Sequence, residues 1–248
     1  MDRLIYTVLT GLTARGRQQA VTANNLANAG TTGFRREISA AEGRYFTGQQ
    51  ITSRVQSGAP SVATPKDAGK LDPTGRNLDI AMVGDAWLAI QGPVINGLPS
   101  EAYTRRGDLS LSVSGVLQNG DGRAVLGQNG QPVTIPAGAA LAIGEDGSLS
   151  TRIGDTTAPL GRLKLVDGAA LTSLDKAGDG LFEPKKPLAF DAAARLVTGA
   201  LESSNVQTAG ALAELVEESR GFEINARLLG IAKDMDERTA RLMSLDAQ

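Results

Sequence analysis

The chain has 248 residues, with 25 basic against 27 acidic side chains and a net charge of −2, so nothing draws it electrostatically to nucleic acid or to an anionic membrane. It has no His and no Cys, which excludes Ser-His-Asp and Cys-His nucleophile systems and the Cys/His zinc sites. Thirty Gly against one Trp, three Tyr and five Phe describe a turn-rich chain with few large core side chains, and no stretch approaches the ~20 apolar residues of a membrane span.

From Leu4 to Leu26, the positions Ile5, Val8, Leu12, Arg15, Gln19, Thr22 and Leu26 follow a 3,4 spacing. They predict an amphipathic helix whose stripe is apolar at its start and polar in its middle. The run "LIYTVLTGLTA" at 4–14 reads as part of this helix rather than as a cleaved signal peptide, because Asp2 precedes it and three Thr and a Gly dilute it.

The helix runs into "ANNLANAGTTGFRR", residues 23–36. Asn28, Gly30 and Gly33 suit a helix stop followed by a bend. Asn24 and Asn25 can bond to their own or neighbouring backbone, and Phe34 can anchor the exit. A plain polar helix end is the other reading of these residues. Residues 36–75, punctuated by Gly43, Gly48, Gly58, Pro60, Pro65, Gly69, Pro73 and Gly75, lack a sustained period and are expected to form an extended connector.

Between 76 and 200 the texture changes. Short runs such as "LDIAMV" (78–83), "WLAIQ" (87–91), "LSLSV" (109–113), "AVLG" (124–127) and "RLKLV" (162–166) are separated by Asn119-Gly120, Asp121-Gly122, Asn129-Gly130, Asp146-Gly147 and Asp179-Gly180. Asn-Gly and Asp-Gly tolerate the positive φ angles of tight hairpins, so about nine to eleven short strands are expected here. From about Ala209 to Leu245 a second helix is predicted. Leu212, Leu215, Phe222, Ala226 and Leu229 form one stripe, and Ile224, Leu228, Ile231, Met235 and Leu242 form another. A helix with two apolar faces needs two partners.

The expected fold is therefore α+β and mainly β. Helical parts at 1–35 and 201–248 would pair as a coiled-coil-like assembly domain, with the connector at 36–75 and an outer β-rich domain at 76–200. Other functions fare less well. The one Gly-Lys pair, Gly69-Lys70, is followed by Leu71, so no phosphate loop exists. The Asp-Gly and Asn-Gly pairs do not fit a calcium-loop pattern and suit hairpin turns instead. Asp79, Asp85 and Asp108 could supply a carboxylate pair for a hydrolase, though turn and strand-edge roles suit them better. Trp87 reads as a core or junction aromatic. The mixed charges of the second helix read either as a solvated face or as a register-setting surface between packed helices.

Three blocks carry a family resemblance. The opening "MDRLIYTVLTGLTARGRQQAVTANNLANAGTTGFRR" resembles the N-terminus of bacterial flagellar axial proteins, the rod and hook family with its "ANNLAN...TTGF" motif. The middle "LDIAMVGDAWLAIQ" and "YTRRGDLSLSVSGVLQNGDGRAVLG" look like that family's β-domain start, and "LESSNVQTAGALAELVEESRGFEINARLLGIAKDMDERTARLMSL" (201–245) is similar to its C-terminal helix. Within the family, "MDRLIYT", "GDAWLAIQ" and the length are most like the F-type branch of the proximal rod, with the G-type distal-rod branch as the competitor. Ala86-Trp87 and Gly199-Ala200 depart from the usual pattern and bear on the branch rather than on the family.

The resemblance implies a structural subunit of the basal-body rod, assembling helically into a torque-transmitting tube around the export channel. Its partners would be copies of itself, other proximal and distal rod subunits and the flagellar type III export apparatus. No cofactor, metal, nucleic acid or membrane insertion is expected. The place implied is the rod within the periplasm, reached without a cleaved signal peptide. The residues expected at assembly interfaces are Ile5, Val8, Leu12, Asn24, Asn25, Leu26, Asn28, Gly33, Phe34, Leu212, Leu215, Phe222, Ala226, Leu229, Ile231 and Leu242. The alternatives from other classes are a secreted β-domain binding protein and a carboxylate-based hydrolase.

Overall fold

A computed structural model describes residues 2–40, 43–46, 54–57, 61–65, 67–95, 97–171, 176, 180–184 and 186–245. The chain forms two compact units. The helical unit draws on residues 1–29, 36–65 and 206–248, and the β-rich unit on residues 30–35 and 66–205.

In the helical unit, α1 spans Asp2–Ala27 and α2 spans Thr208–Leu245, close to the helices that the 3,4 spacings predict. The two pack against each other. Thr22 on α1 meets Glu218 on α2, and Arg15 lies over Gly221. As residue numbers fall on one helix they rise on the other, so the pair is antiparallel.

The segment expected as an extended connector carries short strands instead: β1 (Ile38–Ala40), β2 (Gly43–Phe46), β3 (Arg54–Ser57) and β4 (Ser61–Ala63). β1 pairs antiparallel with β4, and β2 with β3. These strands are three or four residues long, too short for an alternating pattern to show in the sequence. β1 and β3 lie against α1. Asn25 fastens this return of the chain: its amide donates to the Glu37 carbonyl and its Oδ1 accepts from the Glu37 N–H, both at 2.8 Å.

The β-rich unit holds β5 (Leu71–Pro73), β6 (Ile80–Met82), β7 (Ala86–Ile95), β8 (Leu98–Thr104), β9 (Ser110–Leu111), β10 (Leu117–Gln118), β11 (Ala140–Ile143), β12 (Ser148–Ile153), β13 (Thr156–Arg162), β14 (Leu165–Asp167), β15 (Leu196–Thr198) and β16 (Ala200–Glu202). Among the described residues every pairing is antiparallel, in small sheets ordered β14-β7-β8, β11-β12-β13, β15-β6, β16-β5 and β10-β9. Of the five expected hairpin turns three take the positive φ that their chemistry offers, Gly120 of Asn119-Gly120 does not, and Asp179 of Asp179-Gly180 lies outside the described residues. Gly122, Gly130 and Gly147 sit at φ near +75°, and Asp146 Oδ1 accepts from the Ser148 N–H at 3.0 Å across its turn.

β7 explains where the core lies. Successive side chains of a strand point to opposite faces, and here both faces are covered. Leu88 and Ile90 join a cluster with Ile80, Leu117, Val125, Leu163 and Leu165. Trp87 and Ala89 join a second cluster with Tyr103, Leu126, Val166 and Phe182, in which the Trp87 and Phe182 rings meet edge to face at 4.7 Å. A strand buried on both faces reads as a continuous apolar run rather than an alternation, as "AWLAI" does.

Candidate assembly interface

Two features of this fold can act on other molecules or set the geometry with which the chain does so. The first is the surface of the helix pair. The side of α2 turned to α1 carries Ala211, Leu215, Glu218, Asn225, Leu229 and Ala232, all buried or half-buried, at spacings of 4, 3, 7, 4 and 3 that hold one face of a helix. Its one buried charge among the described residues, Glu218, accepts from the Thr22 hydroxyl at 2.9 Å. The other side of α2 exposes Leu212, Val216, Ile224, Leu228, Ile231 and Met235, each 47 to 59% accessible.

Against this map the sequence-derived residues divide. Leu215 and Leu229 are half-buried on the α1 side, Phe222 stands at its margin at 37% exposure, and Leu212, Ala226 and Ile231 face outward. Val8, Leu12, Asn24, Leu26 and Asn28 are half-buried on α1 or just beyond its end. The side chains of Ile5 and Leu242 lie outside the described residues. Ala211, Glu218, Asn225 and Ala232 were not among the expected positions: Glu218 and Asn225 are polar, and alanines occur on both sides of α2, Ala226 outward and Ala211 and Ala232 inward, so they do not mark a face.

The second feature lies within the β-rich unit and accounts for "TTGFRR". After α1 ends, with the Asn28 side-chain amide donating to the Asn24 carbonyl at 3.0 Å and to its Oδ1 at 2.7 Å, residues 30–35 run as a strap packed into this unit. Gly33 has φ +67°, and a Cβ there would stand 2.3 Å from the Arg105 backbone, so only Gly fits. Its N–H donates to the Glu202 carbonyl at 2.7 Å, and the Asn205 N–H donates to the Phe34 carbonyl at 3.3 Å. Phe34 is buried, with the Lys176 ammonium 3.9 Å from its ring centroid.

Beside Phe34 lies a buried charge cluster. Arg35, Arg105 and Glu202 are each no more than 3% exposed. The Glu202 carboxylate accepts from Arg35 Nη2 at 2.7 Å, Arg105 Nε at 2.7 Å and the Gly69 N–H at 2.9 Å. Arg105 also donates to the carbonyls of Met82, Gly84 and Ala86 at 2.8 to 2.9 Å, and Arg35 donates to the Asp67 carbonyl. Burial pushes the Arg35 guanidinium below its ordinary value, opposed by the pull of Glu202 and aided by the push of Arg105. An arginine stays charged throughout the range of protein pH, so Arg35 keeps its charge in spite of its burial.

The carboxylates raised as a hydrolase pair are occupied otherwise. Asp79 accepts from Arg76 Nε at 2.9 Å and the Thr74 hydroxyl at 2.6 Å. Although burial pushes its carboxyl up, these hydrogen bonds outweigh it and hold it below the usual range, the reverse of what a general acid needs. Asp108 is bound by Arg106 at 2.8 Å. A cavity of about 540 Å³ near Asn129, Pro132, Val133, Leu149 and Arg162 has no carboxylate in its wall. Among the described residues no group of three or more Asp or Glu could hold a metal ion, and no helix is long and apolar enough to cross a membrane.

Comparison with known proteins covers these same elements. Residues 5–35 match the family described as flagella basal body rod protein, residues 81–151 the flagellar hook protein FlgE/F/G D1 domain, and residues 197–242 the flagellar basal body rod FlgEFG protein C-terminal region. Arg35, Arg105 and Glu202 fall one in each block. The chain is 35% identical to the flagellar basal-body rod protein FlgF of Salmonella typhimurium and likewise to that of Escherichia coli, over 99% of this chain and all of each relative. It is 29% identical to the flagellar basal-body rod protein FlgG of Bacillus subtilis, over 92% of this chain and 94% of the relative.

Proposed function

This chain belongs to the flagellar basal-body rod family, as a structural subunit most like the F-type, and from that premise we propose that it builds the proximal rod by lateral packing of its helix pair. Members of the family assemble with other rod and hook components of the flagellar basal body. The observation that carries the proposal is the outward face of α2. Six large apolar residues, Leu212, Val216, Ile224, Leu228, Ile231 and Met235, stay about half exposed on a helix whose opposite side already has a partner. Ile224, Leu228, Ile231 and Met235 recur at 4,3,4 and form one stripe, which a neighbouring helix can cover.

In this reading the helices of successive subunits wall a tube around the export channel, and many weak contacts share the motor's torque. The charges along α2, Glu214, Glu217, Arg220, Glu223, Arg227, Lys233, Asp234, Glu237 and Arg238, choose neighbours by rejecting like charges, since each exposed pair adds little stability. The rod stands in the periplasm, and the subunit reaches it through the flagellar type III apparatus without a cleaved signal peptide. No catalytic step is assigned.

The test is Ile231→Asp with Ile224→Asp. Both side chains are exposed in the subunit, so the isolated variant keeps its fold, while assembly would bury two unpaired carboxylates. Cells carrying it should be non-motile and lack rods by electron microscopy of basal bodies. Normal rods and swimming would refute this face as an interface.

A further inference from the structure

We propose that Arg35, Glu202 and Arg105 are positioning residues for rod assembly, whose buried charges, together with Gly33, admit one alignment of the strap at 30–35 beside the segment at 202–205. The consequence for assembly rests on the rod reading; the alignment itself does not.

The cluster is poorly composed for stability. Two buried guanidiniums share one carboxylate, and Arg35 Nε has no partner among the described residues. Apolar side chains of similar volume commonly stabilise a core as well as or better than a buried ion cluster does. What the ions add is discrimination, and the sequence of the strap shows why it is needed. In "GTTGFRR" both Gly and Arg occur twice. A slip of one residue would bring Arg36 to Glu202, which its charge would satisfy, but it would also force Phe34 into the slot where even a Cβ meets the Arg105 backbone at 2.3 Å. A slip of three would bring Gly30 into that slot without a clash, but it would set Thr32 in the place of Arg35 and leave the buried Glu202 carboxylate short of a cation. The steric pin rejects the first error and the electrostatic pin the second.

The strap follows α1 in the chain, and Glu202–Asn205 precedes α2. Their alignment therefore fixes the points at which both connections to the helices leave the β-rich unit. Each residue of slip displaces extended chain by about 3.3 Å, which a helical polymer of identical contacts does not accommodate.

Two full-length variants test this. Glu202→Gln keeps the shape and removes the charge. The triple variant Arg35→Met, Glu202→Leu, Arg105→Met replaces the ions with apolar side chains. Amide exchange at Gly33 and Phe34 is read on the isolated subunit, thermal unfolding through the single Trp87, which lies 5.7 Å from Arg105, and rods and motility in complemented cells. In Glu202→Gln the strap amides should exchange at least about 100-fold faster, and motility should be lost. In the triple variant the melting temperature should return to within about 5 °C of the parent, while strap exchange stays fast and rods stay absent.

A triple variant with a protected strap and normal motility would show that the ions only fill space. A released strap with normal motility would show that alignment does not matter to assembly. If the triple variant does not fold, Glu202→Asp decides, since it keeps the charge and withdraws it by one methylene. It should give a folded unit, strap exchange about tenfold faster and reduced motility, and parent-like values would overturn the proposal. Failure of the unaltered gene to restore motility to cells lacking their own copy would count against the rod reading instead.

Discussion

In the β-rich unit β7 buries Trp87, Leu88, Ala89 and Ile90 in succession, and even its charges at Arg35, Arg105 and Glu202 are enclosed and bonded. In the helical unit α2 runs 38 residues, and among the described residues it buries one charge, Glu218, and leaves an apolar row from Leu212 to Met235 exposed. The β-rich unit closes two apolar clusters of its own and exposes large apolar residues such as Val94, Val113 and Ile153 only outside them, whereas the helical unit leaves a row of them along one helix. A subunit divided in this way can fold a stable body while keeping a surface whose energy is released only on contact with a neighbour. The strap sharpens the contrast. It lies next to α1 in sequence, but its burial and bonds belong to the β-rich unit.

The contrast can be broken most severely at Arg105. Arg105→Ala removes the cation that bonds three carbonyls and half of the Glu202 carboxylate, and should destabilise the β-rich unit by roughly 3–5 kcal/mol, measured by denaturant unfolding. A matched pair comes next. Leu163 is fully buried and Leu229 half-buried, so Leu163→Ala should cost about 2–5 kcal/mol. The same change at Leu229 should cost about 1 kcal/mol. Equal costs would erase the distinction between the units.

How far the sequence announces this division depends on the signal each part leaves. Both helices, and the hairpin turns at Asn129-Gly130 and Asp146-Gly147, are legible because spacing and φ preference are local. The strap is not. Arg35 and Arg36 look like two solvated charges, and only the fold brings Glu202 to one of them. The α1-facing side of α2 is also hidden, since Glu218 and Asn225 are polar and alanines occur on both sides of the helix, whereas the large apolar residues that draw the eye, Leu212, Ile224 and Ile231, stand on the side left open. Gly33 was legible as a bend, but the close approach of the Arg105 backbone that demands it was not.

Smaller effects probe the same boundary. Ile231→Ser on the exposed side of α2 should change subunit stability by no more than about 0.5 kcal/mol, yet reduce swimming in a soft-agar assay. A loss of stability as large as that of Leu163→Ala would mean that the residue is covered within the subunit. The least effect is on acid stability. Because the Asp79 carboxyl is held below its ordinary value in the fold, its contribution is present above an unfolded pKa of about 3.9. That contribution is lost as pH falls through the lower folded value. Asp79→Asn should therefore flatten the acid limb of the unfolding curve below about pH 4 and leave that curve's shape near neutrality unchanged.

The division itself is tested most directly by amide exchange along the whole chain, in the isolated subunit and in assembled rods. In the isolated subunit, β7, β14 and the strap amides of Gly33 and Phe34 should exchange together and slowly, while residues 8–24 of α1 and 212–238 of α2 exchange at least about 100-fold faster. In rods the helices should become as protected as β7. Helices already as protected as β7 in the isolated subunit, or a strap that exchanges with α1, would contradict the division of labour between the two units.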